Sequence, residues 1–428
     1  MVKERYKQTE AGLIPEDWDT IPFSECFDTL PNNTLSRAEL NYNGGKVKNI
    51  HYGDVLIKFP SVLDCEKETI PFVNPESVAK VGTVVLQDGD IVIADTAEDD
   101  TVGKMTEIIG VREQRIVSGL HTIPCRPKQK DMFASKWLGY FMNHSSYHDQ
   151  LLPFVTGIKV SSVSKSAIAN TVIVVPKKEE QEQIVVALSD IDELIFNLEK
   201  FVEKKKAMRE GAVQELIVHK KALPGFDNTE MKYRIGNIGD FYNGLSGKTK
   251  KDFGRGTARY ITFLNVLINA VIDTDILESV DVASDENQNS VRVGDLFFNT
   301  SSETPEEVGM CAVLLTDVSN CYLNSFCFGF RIKEKDVDPL FFSYYFNSAE
   351  GRKIMAILAQ GATRYNLSKT NFADTNVILP EYKKQKEIAR IISDMDSEIA
   401  SLQSKLEKYR KIKSGMMDEL LTGKVRLV

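Results

Sequence analysis

One stretch of this chain occurs twice, and that repeat limits the fold more than any other feature. Gln181 to His219 reads QEQIVVALSDIDELIFNLEKFVEKKKAMREGAVQELIVH, and a matching run starts at Gln385, an offset of 385 − 181 = 204. The offset holds without a gap from Gly157/Gly361 through Leu216/Leu420. Pro176/Pro380, Gln181/Gln385, Ser189/Ser393, Asp190/Asp394, Asp192/Asp396, Gly211/Gly415 and Glu215/Glu419 are identical pairs. Such a register marks a tandem duplication of a globular segment followed by a long helix.

Each copy of the helix carries a heptad seam. Ile184, Ile191 and Leu198 alternate with Leu188, Ile195 and Val202 in the first; Ile388, Met395 and Leu402 alternate with Ile392, Ile399 and Leu406 in the second. Spacings of three and four place these residues on one narrow stripe, as in a coiled coil. Both seams are then interrupted by polar residues, Lys205 and Arg209 in one copy, Tyr409 and Lys413 in the other, which predicts a shared change of partner or a seam shift. A helix of roughly 40 residues reaches about 60 Å and outruns a small domain. The natural partner for each helix is therefore the other, in preference to packing on its own globular segment alone.

The sequence divides into a first domain over 1–177, a spacer helix over 178–221, a second domain over 222–380, and a second helix with a tail over 381–428. Lys220–Thr229 (KKALPGFDNT) reads as the linker, broken by Pro224-Gly225. Strand patterns are expected at Lys48–Phe59, in two runs across Val81–Ala94 joined by Gln87–Asp90, at Arg115–Val117 and His121–Pro124, and at Thr171–Pro176. Asp131–Gln150 has helical spacing. In the second copy Arg259–Leu267 answers Lys48–Leu56, the Gly-Asp of Val293–Asn299 answers that of Asp88–Ile93, and Val308-Gly309 answers Val102-Gly103. Leu340–Phe346 and Gly351–Leu358 are expected to be helical and Thr375–Pro380 a strand. Short mixed strands with a few helices indicate two α+β domains. The copies agree in these scaffold positions and differ almost everywhere between them, as expected for two modules with one task and two targets.

No catalytic constellation stands out. Gly247-Lys248-Thr249 resembles the end of a phosphate-binding loop, but Tyr242 occupies the required glycine position. His144 and His148 sit four apart without a third clustered ligand, so a solvated helix face is expected rather than a metal site. Acidic runs at Glu98–Asp100, Asp273–Asp275 and Asp285-Glu286 read as solvated turns. Six cysteines (26, 65, 125, 311, 321 and 327) have no C-x-x-C pair and no matched positions, and are expected to be reduced packing residues. No apolar run is long enough for a bilayer span and the charged start MVKERYKQTE lacks a signal-peptide core, which makes the cytoplasm the default.

A net charge of −8 opposes any wholesale electrostatic grip on nucleic acid, so basic residues matter only locally. One loop recurs at the same offset: Thr156-Gly157-Ile158-Lys159-Val160-Ser161-Ser162-Val163-Ser164-Lys165 and Gln360-Gly361-Ala362-Thr363-Arg364-Tyr365-Asn366-Leu367-Ser368-Lys369. Glycine permits close backbone approach, and Lys159, Ser161, Lys165, Arg364, Tyr365, Asn366 and Lys369 suit phosphates and base edges. A structural turn capping the closing strand explains the frame equally well. The segment KTKKDFGRGTAR supplies Lys248, Lys250, Lys251, Arg255 and Arg259; the weaker equivalents in the first copy are Lys46, Lys48, Arg112 and Arg115.

Taken together, the opening YKQTEAGLIPEDW, the Gly-Asp motifs at 89–90 and 294–295, the glycine loops closing on Ser-Lys, and the repeated P-x-x-x-Q-x-x-I…S-D-x-D helix resemble the specificity subunits of type I restriction–modification systems over essentially the whole chain. The resemblance implies two target recognition domains, each reading half of a bipartite double-stranded DNA site. It implies an intramolecular antiparallel coiled coil with pseudo-two-fold symmetry that docks two methyltransferase subunits and, where present, two restriction subunits. S-adenosylmethionine, ATP and magnesium then belong to those partners, and this chain binds no cofactor and catalyses nothing. The competing readings are a protein-only coiled-coil scaffold and a self-sufficient DNA-modifying enzyme.

Overall fold

The computed structural model describes residues 5–361 and 364–427 and divides into two compact units, Met1–Glu199 with Lys405–Val428, and Lys200–Ser404. Each is α+β. The first has a five-stranded sheet of Phe27–Thr29 (β1), Val62–Asp64 (β2), Ile91–Ala94 (β3), Met105–Ile109 (β4) and Thr122–Pro127 (β5), in the order β1-β5-β3-β4-β2. The second has Gly239–Asn243 (β6), Asp295–Asn299 (β7), Cys311–Val313 (β8) and Cys327–Ile332 (β9), in the matching order β6-β9-β7-β8. The central strands carry unbroken apolar runs, Ile91–Ala94 and Leu296–Phe298, because both faces are covered. Ile91 and Ile93 pack into one core and Val92 and Ala94 into another; Leu296 and Phe298 are likewise separated from Phe297.

The Gly-Asp pair that enters each central strand is a buried ion-pair device. Gly89 and Gly294 both adopt φ +86°, a left-handed turn that glycine accepts without strain. Asp90 then accepts from the backbone N–H of Gln87 at 2.8 Å and from the Arg126 guanidinium at 2.7 and 2.8 Å. Asp295 accepts from Arg292 N–H at 2.9 Å, from Arg331 at 2.6 and 2.7 Å and from the Tyr242 hydroxyl at 2.6 Å. The recurrent glutamine has a comparable task. Gln181 donates to the Pro176 carbonyl at 2.8 Å and accepts from Ala134 N–H at 2.8 Å; Gln385 donates to Pro380 at 2.8 Å and accepts from Asp338 N–H at 2.9 Å. Both are fully buried, so every hydrogen bond they lose leaves an unsatisfied partner.

The two long helices are Lys178–Val213 (α1), ending in a π-turn at Gln214–Val218, and Tyr382–Leu420 (α2). Within the first unit, Glu199 meets Arg410 at 2.6 Å and Asp192 meets Lys413 at 2.6 Å. Within the second, Lys205 meets Glu398 at 2.7 Å and Arg209 meets Asp396 at 2.9 Å. As one index rises the other falls, so the segments run antiparallel in both units. Asp192 and Asp396 also accept from the Tyr140 and Tyr344 hydroxyls, each at 2.9 Å, tying the helix pair to its own domain. Burial first, and then the neighbouring aspartate, raises the pKa of both phenols. The polar break in each seam is thus a change of partner, with Arg209 and Lys413 placed to meet an aspartate. Ile184, Leu188, Ile388 and Ile392 lie in the domain cores. Ile191, Val202, Ile399 and Leu406 are buried further along, and Ile195, Leu198, Met395 and Leu402 are half-buried.

Several expected elements differ. Only Ile91–Ala94 of the two strands expected over 81–94 is a strand; Val81 and Val85 instead pack irregularly around Leu35, Val47 and Val73. The strand at Lys48 stops at Ile50, because the His51 ring accepts from Gly53 N–H and starts a helix over Tyr52–Ile57. Thr262 does the same for Phe263–Ile268. Asp131–Gln150 holds two short helices, Trp137–Phe141 and Ser145–His148, broken where His144 caps the second. The His144 ring meets Asp418 at 3.0 Å and His148 meets the Val102 carbonyl at 2.8 Å, so the two rings do not converge. All six cysteines are free and buried, and burial pushes Cys65 and Cys125 up to about 12. Among the described residues no helix is long and apolar enough to cross a membrane, and no cluster of three metal-ligating side chains occurs.

Candidate nucleic-acid interface

The repeated loop forms the same hairpin in both units. In the first, Thr156 and Ser162 exchange backbone hydrogen bonds at 3.0 and 2.8 Å, and Ser161–Ser162 pairs antiparallel with Thr96–Ala97. In the second, Ala359–Gln360 pairs with Tyr365–Leu367, which pairs in turn with Ser301–Ser302. Gly157 and Gly361 have φ +113° and +143°. A Cβ at these positions would lie 1.9 Å from the Val160 carbonyl oxygen and 2.1 Å from that of Arg364. The close approach that glycine permits is therefore to the hairpin's own backbone. Ser164 and Ser368 cap the short helices that follow, Lys165–Ala169 and Lys369–Ala373. Ala362 and Thr363 lie outside the described residues.

Lys159 and Lys165 are exposed, Ser161 is half-buried, and neither lysine has an ion pair among the described residues. Ile158, just before Lys159, is fully exposed, an apolar tip that the sequence shows only as one loop residue. Arg364 and Asn366 are exposed on the second hairpin with Tyr365 half-buried, while the Lys369 ammonium donates to Asn243. At the foot of each hairpin a short acidic loop follows the pairing strand, Glu98–Asp100 after Ala97 and Glu303 after Ser302. Their placement beside the hairpins, unlike the acidic run at Glu98–Asp100 itself, escapes sequence reading because the strands that carry them are two residues long.

The remaining basic candidates lie elsewhere in their units. Lys250 and Lys251 are exposed, but Lys248 is held by Glu286 at 2.5 Å and Arg259 donates to the Leu277 carbonyl at 2.5 Å. The Lys248 hydrogen bond is also the main cause that lowers Glu286 to about 2. Arg255 stands between Asp252 and Asp281 at 3.7 and 3.6 Å. These residues belong to or precede the three-stranded sheet of Phe253–Ile261, separate from the hairpin sheet. In the first unit Lys48 donates to Gln114 and lies over the Phe72 ring, Arg112 pairs with Glu66 at 2.9 Å, and Arg115 donates to the Gly82 carbonyl. Lys46 is exposed. Lys46, Lys159, Lys165, Lys250, Lys251 and Arg364 are the candidates without a protein partner among the described residues.

The family model of the type I restriction modification DNA specificity domain matches residues 15–207 and again 229–409. A Methanocaldococcus jannaschii chain described as the type I restriction enzyme MjaX specificity subunit is 22% identical over 454 residues, covering 99% of this chain and 97% of that one. The crystal structure of the type I restriction–modification S subunit from M. genitalium superposes with a TM-score of 0.55 at 14% identity over 94% of this chain and 96% of that one. A chain from a study of complex assembly and conformational transition of the type I R-M system gives 0.57 at 12% identity over 96% and 99%. With both halves matched, in the order that the internal repeat dictates, the chain belongs to the type I restriction–modification DNA specificity family.

Proposed function

We propose that this chain is the sequence-reading subunit of a type I restriction–modification complex. Residues 1–177 and 222–380 act as target recognition domains, each reading half of a bipartite double-stranded site. The helices over 178–221 and 381–428 pair as an antiparallel coiled coil, set the spacer, and dock two methyltransferase subunits, with restriction subunits added where the system has them. The chain itself is non-catalytic and works in the cytoplasm; S-adenosylmethionine, ATP and magnesium enter with the partners. One observation carries the reading: two scaffolds share the same buried polar nodes and the same glycine-locked hairpin, yet present different side chains on it. Uniform scaffolds with divergent tips suit two readers of unlike half-sites, in which phosphate contacts position and base contacts specify.

Single-molecule methylation sequencing of the host genome, with and without the gene, tests this directly. A bipartite adenine-methylated motif that vanishes on deletion is the expected result; an unchanged methylome in a strain with an active partner methyltransferase favours the scaffold reading. Lys159→Ala and Arg364→Ala are expected to weaken DNA binding by the assembled complex and to lower its log–log salt slope by about one each. Unchanged affinity with intact folding would make the hairpins structural only. Insertions within 181–219 or 385–422 are expected to change spacer length while leaving the half-sites as they are.

A further inference from the structure

The corner where a long helix ends beside the strand Asp19–Pro22 in the first unit, and beside Glu230–Arg234 in the second, is built from matching positions and is filled differently. In the first unit Trp18 is fully buried and its indole N–H donates to Glu180 at 2.9 Å. The Arg426 guanidinium binds Glu180 at 2.5 and 2.9 Å and Asp17 at 2.8 and 3.0 Å. Strand pairing fixes the equivalences in the second unit. Asp19 faces Val175 and Met231 faces Leu379, so the residue before each, Trp18 or Glu230, takes the same place. The 204 offset sets Lys384 against Glu180, and no arginine lines the second corner among the described residues. Where the first unit has an indole, the second has a cavity of about 280 Å³, walled by Ile217, Lys220, Glu230, Phe341, Tyr345 and Lys384 among others.

Lys384 is 3% exposed, and its ammonium donates only to the Asn228 side-chain oxygen, at 2.8 Å; among the described residues no carboxylate pairs with it. An ammonium has three donors, and a buried cation without a counter-ion is costly. Lys220 is paired with Glu230 at 2.6 Å, so the wall carries two cations and one anion, a net +1. Asn228 and Thr229 add polar groups, the rest of the wall is aromatic and aliphatic, and the volume lies just below the usual range of small-ligand sites.

We propose that this cavity binds a small organic anion with an apolar ring, the ring lying where the first unit carries its indole and the anionic group lying on Lys384. The proposal is independent of DNA recognition. The test uses the full chain with indole-3-carboxylate as probe, isothermal titration calorimetry as readout, and hydrogen exchange to locate binding. Saturable binding is expected, with new protection in 216–230 and 378–384. Neutral indole-3-carboxamide and inorganic phosphate are each expected to bind at least about tenfold more weakly, the factor for one charge-assisted hydrogen bond or for the buried ring. Glu230→Trp, which rebuilds the first unit's filling, is expected to abolish binding and to leave the melting temperature equal or higher; Lys384→Met should weaken binding about tenfold. The idea falls if the wild-type chain shows no saturable binding, if protection appears elsewhere, or if the carboxamide or phosphate binds as well as the carboxylate. Binding that survives a folded Glu230→Trp variant would also overturn it.

Discussion

In the first unit the corner around Trp18 is solid, and in the second the matching corner is hollow. Elsewhere the two domains keep the same buried polar devices: the aspartate–arginine pair entering the central strand, the glutamine at the start of the long helix, and the tyrosine–aspartate–cation node. The difference shows which positions are free to diverge after duplication. A buried hydrogen-bonding group that serves several backbone partners is held in place, because its loss leaves each of them unsatisfied. The corner changes as a set instead. Glu180 gives way to Lys384 and Trp18 to Glu230, so no carboxylate is left buried without a guanidinium opposite it.

The sharpest way to probe this contrast is to empty the filled corner. Trp18→Ala should destabilise the first unit by about 3–5 kcal/mol, the range for a fully buried tryptophan, while Glu230→Ala should cost the second no more than about 0.5 kcal/mol. Hydrogen exchange read separately over 1–199 and 200–404 tests both, and equal losses would break the comparison.

A second asymmetry is titratable. Glu107 is buried in β4, accepts from the N–H groups of Lys136 and Gly139 at 2.6 and 2.8 Å, and is raised by burial to about 7; its place in the second unit is Val313. The folded chain keeps a proton that the unfolded chain releases, so this contribution is full below pH 4.5 and is lost as pH rises through 7. The loss is about 3 kcal/mol, since the folded-state value of about 7 stands well above the 4.5 of an unperturbed glutamate. Denaturant unfolding from pH 4 to 8 should show the slope, and Glu107→Gln should flatten it.

The hairpins test sameness. Gly157→Ala and Gly361→Ala should each distort the tip at a cost of about 1–3 kcal/mol, since a Cβ meets the hairpin's own carbonyl oxygen at a positive φ. Local exchange in each hairpin would check it, and tolerance in one alone would mean that the two loops are not equivalent. The smallest effect is expected at the half-exposed pairs. Arg209→Ala and Lys413→Ala should each cost about 0.5–1 kcal/mol, alike in both units, as measured by denaturation at low and high salt.

The tandem repeat, the two long helices, the α+β class and the buried reduced cysteines were all legible in the chain, because identity at a fixed offset and apolar period are properties of neighbouring residues. The repeat also marked Gly-Asp, the glutamine and the S-D-x-D aspartates as important without saying why. Only tertiary structure decided which polar groups are committed to the protein. Lys48, Lys248 and Arg259 look like free cations in the sequence yet are held by Gln114, Glu286 and Leu277, while Lys159 and Arg364 stay open. It also decided that Gly157 and Gly361 serve their own hairpins, and that one corner is solid and the other hollow. The Arg426–Asp17 pair spans 409 residues of sequence, and no local pattern can report an interaction whose partners are brought together only by folding.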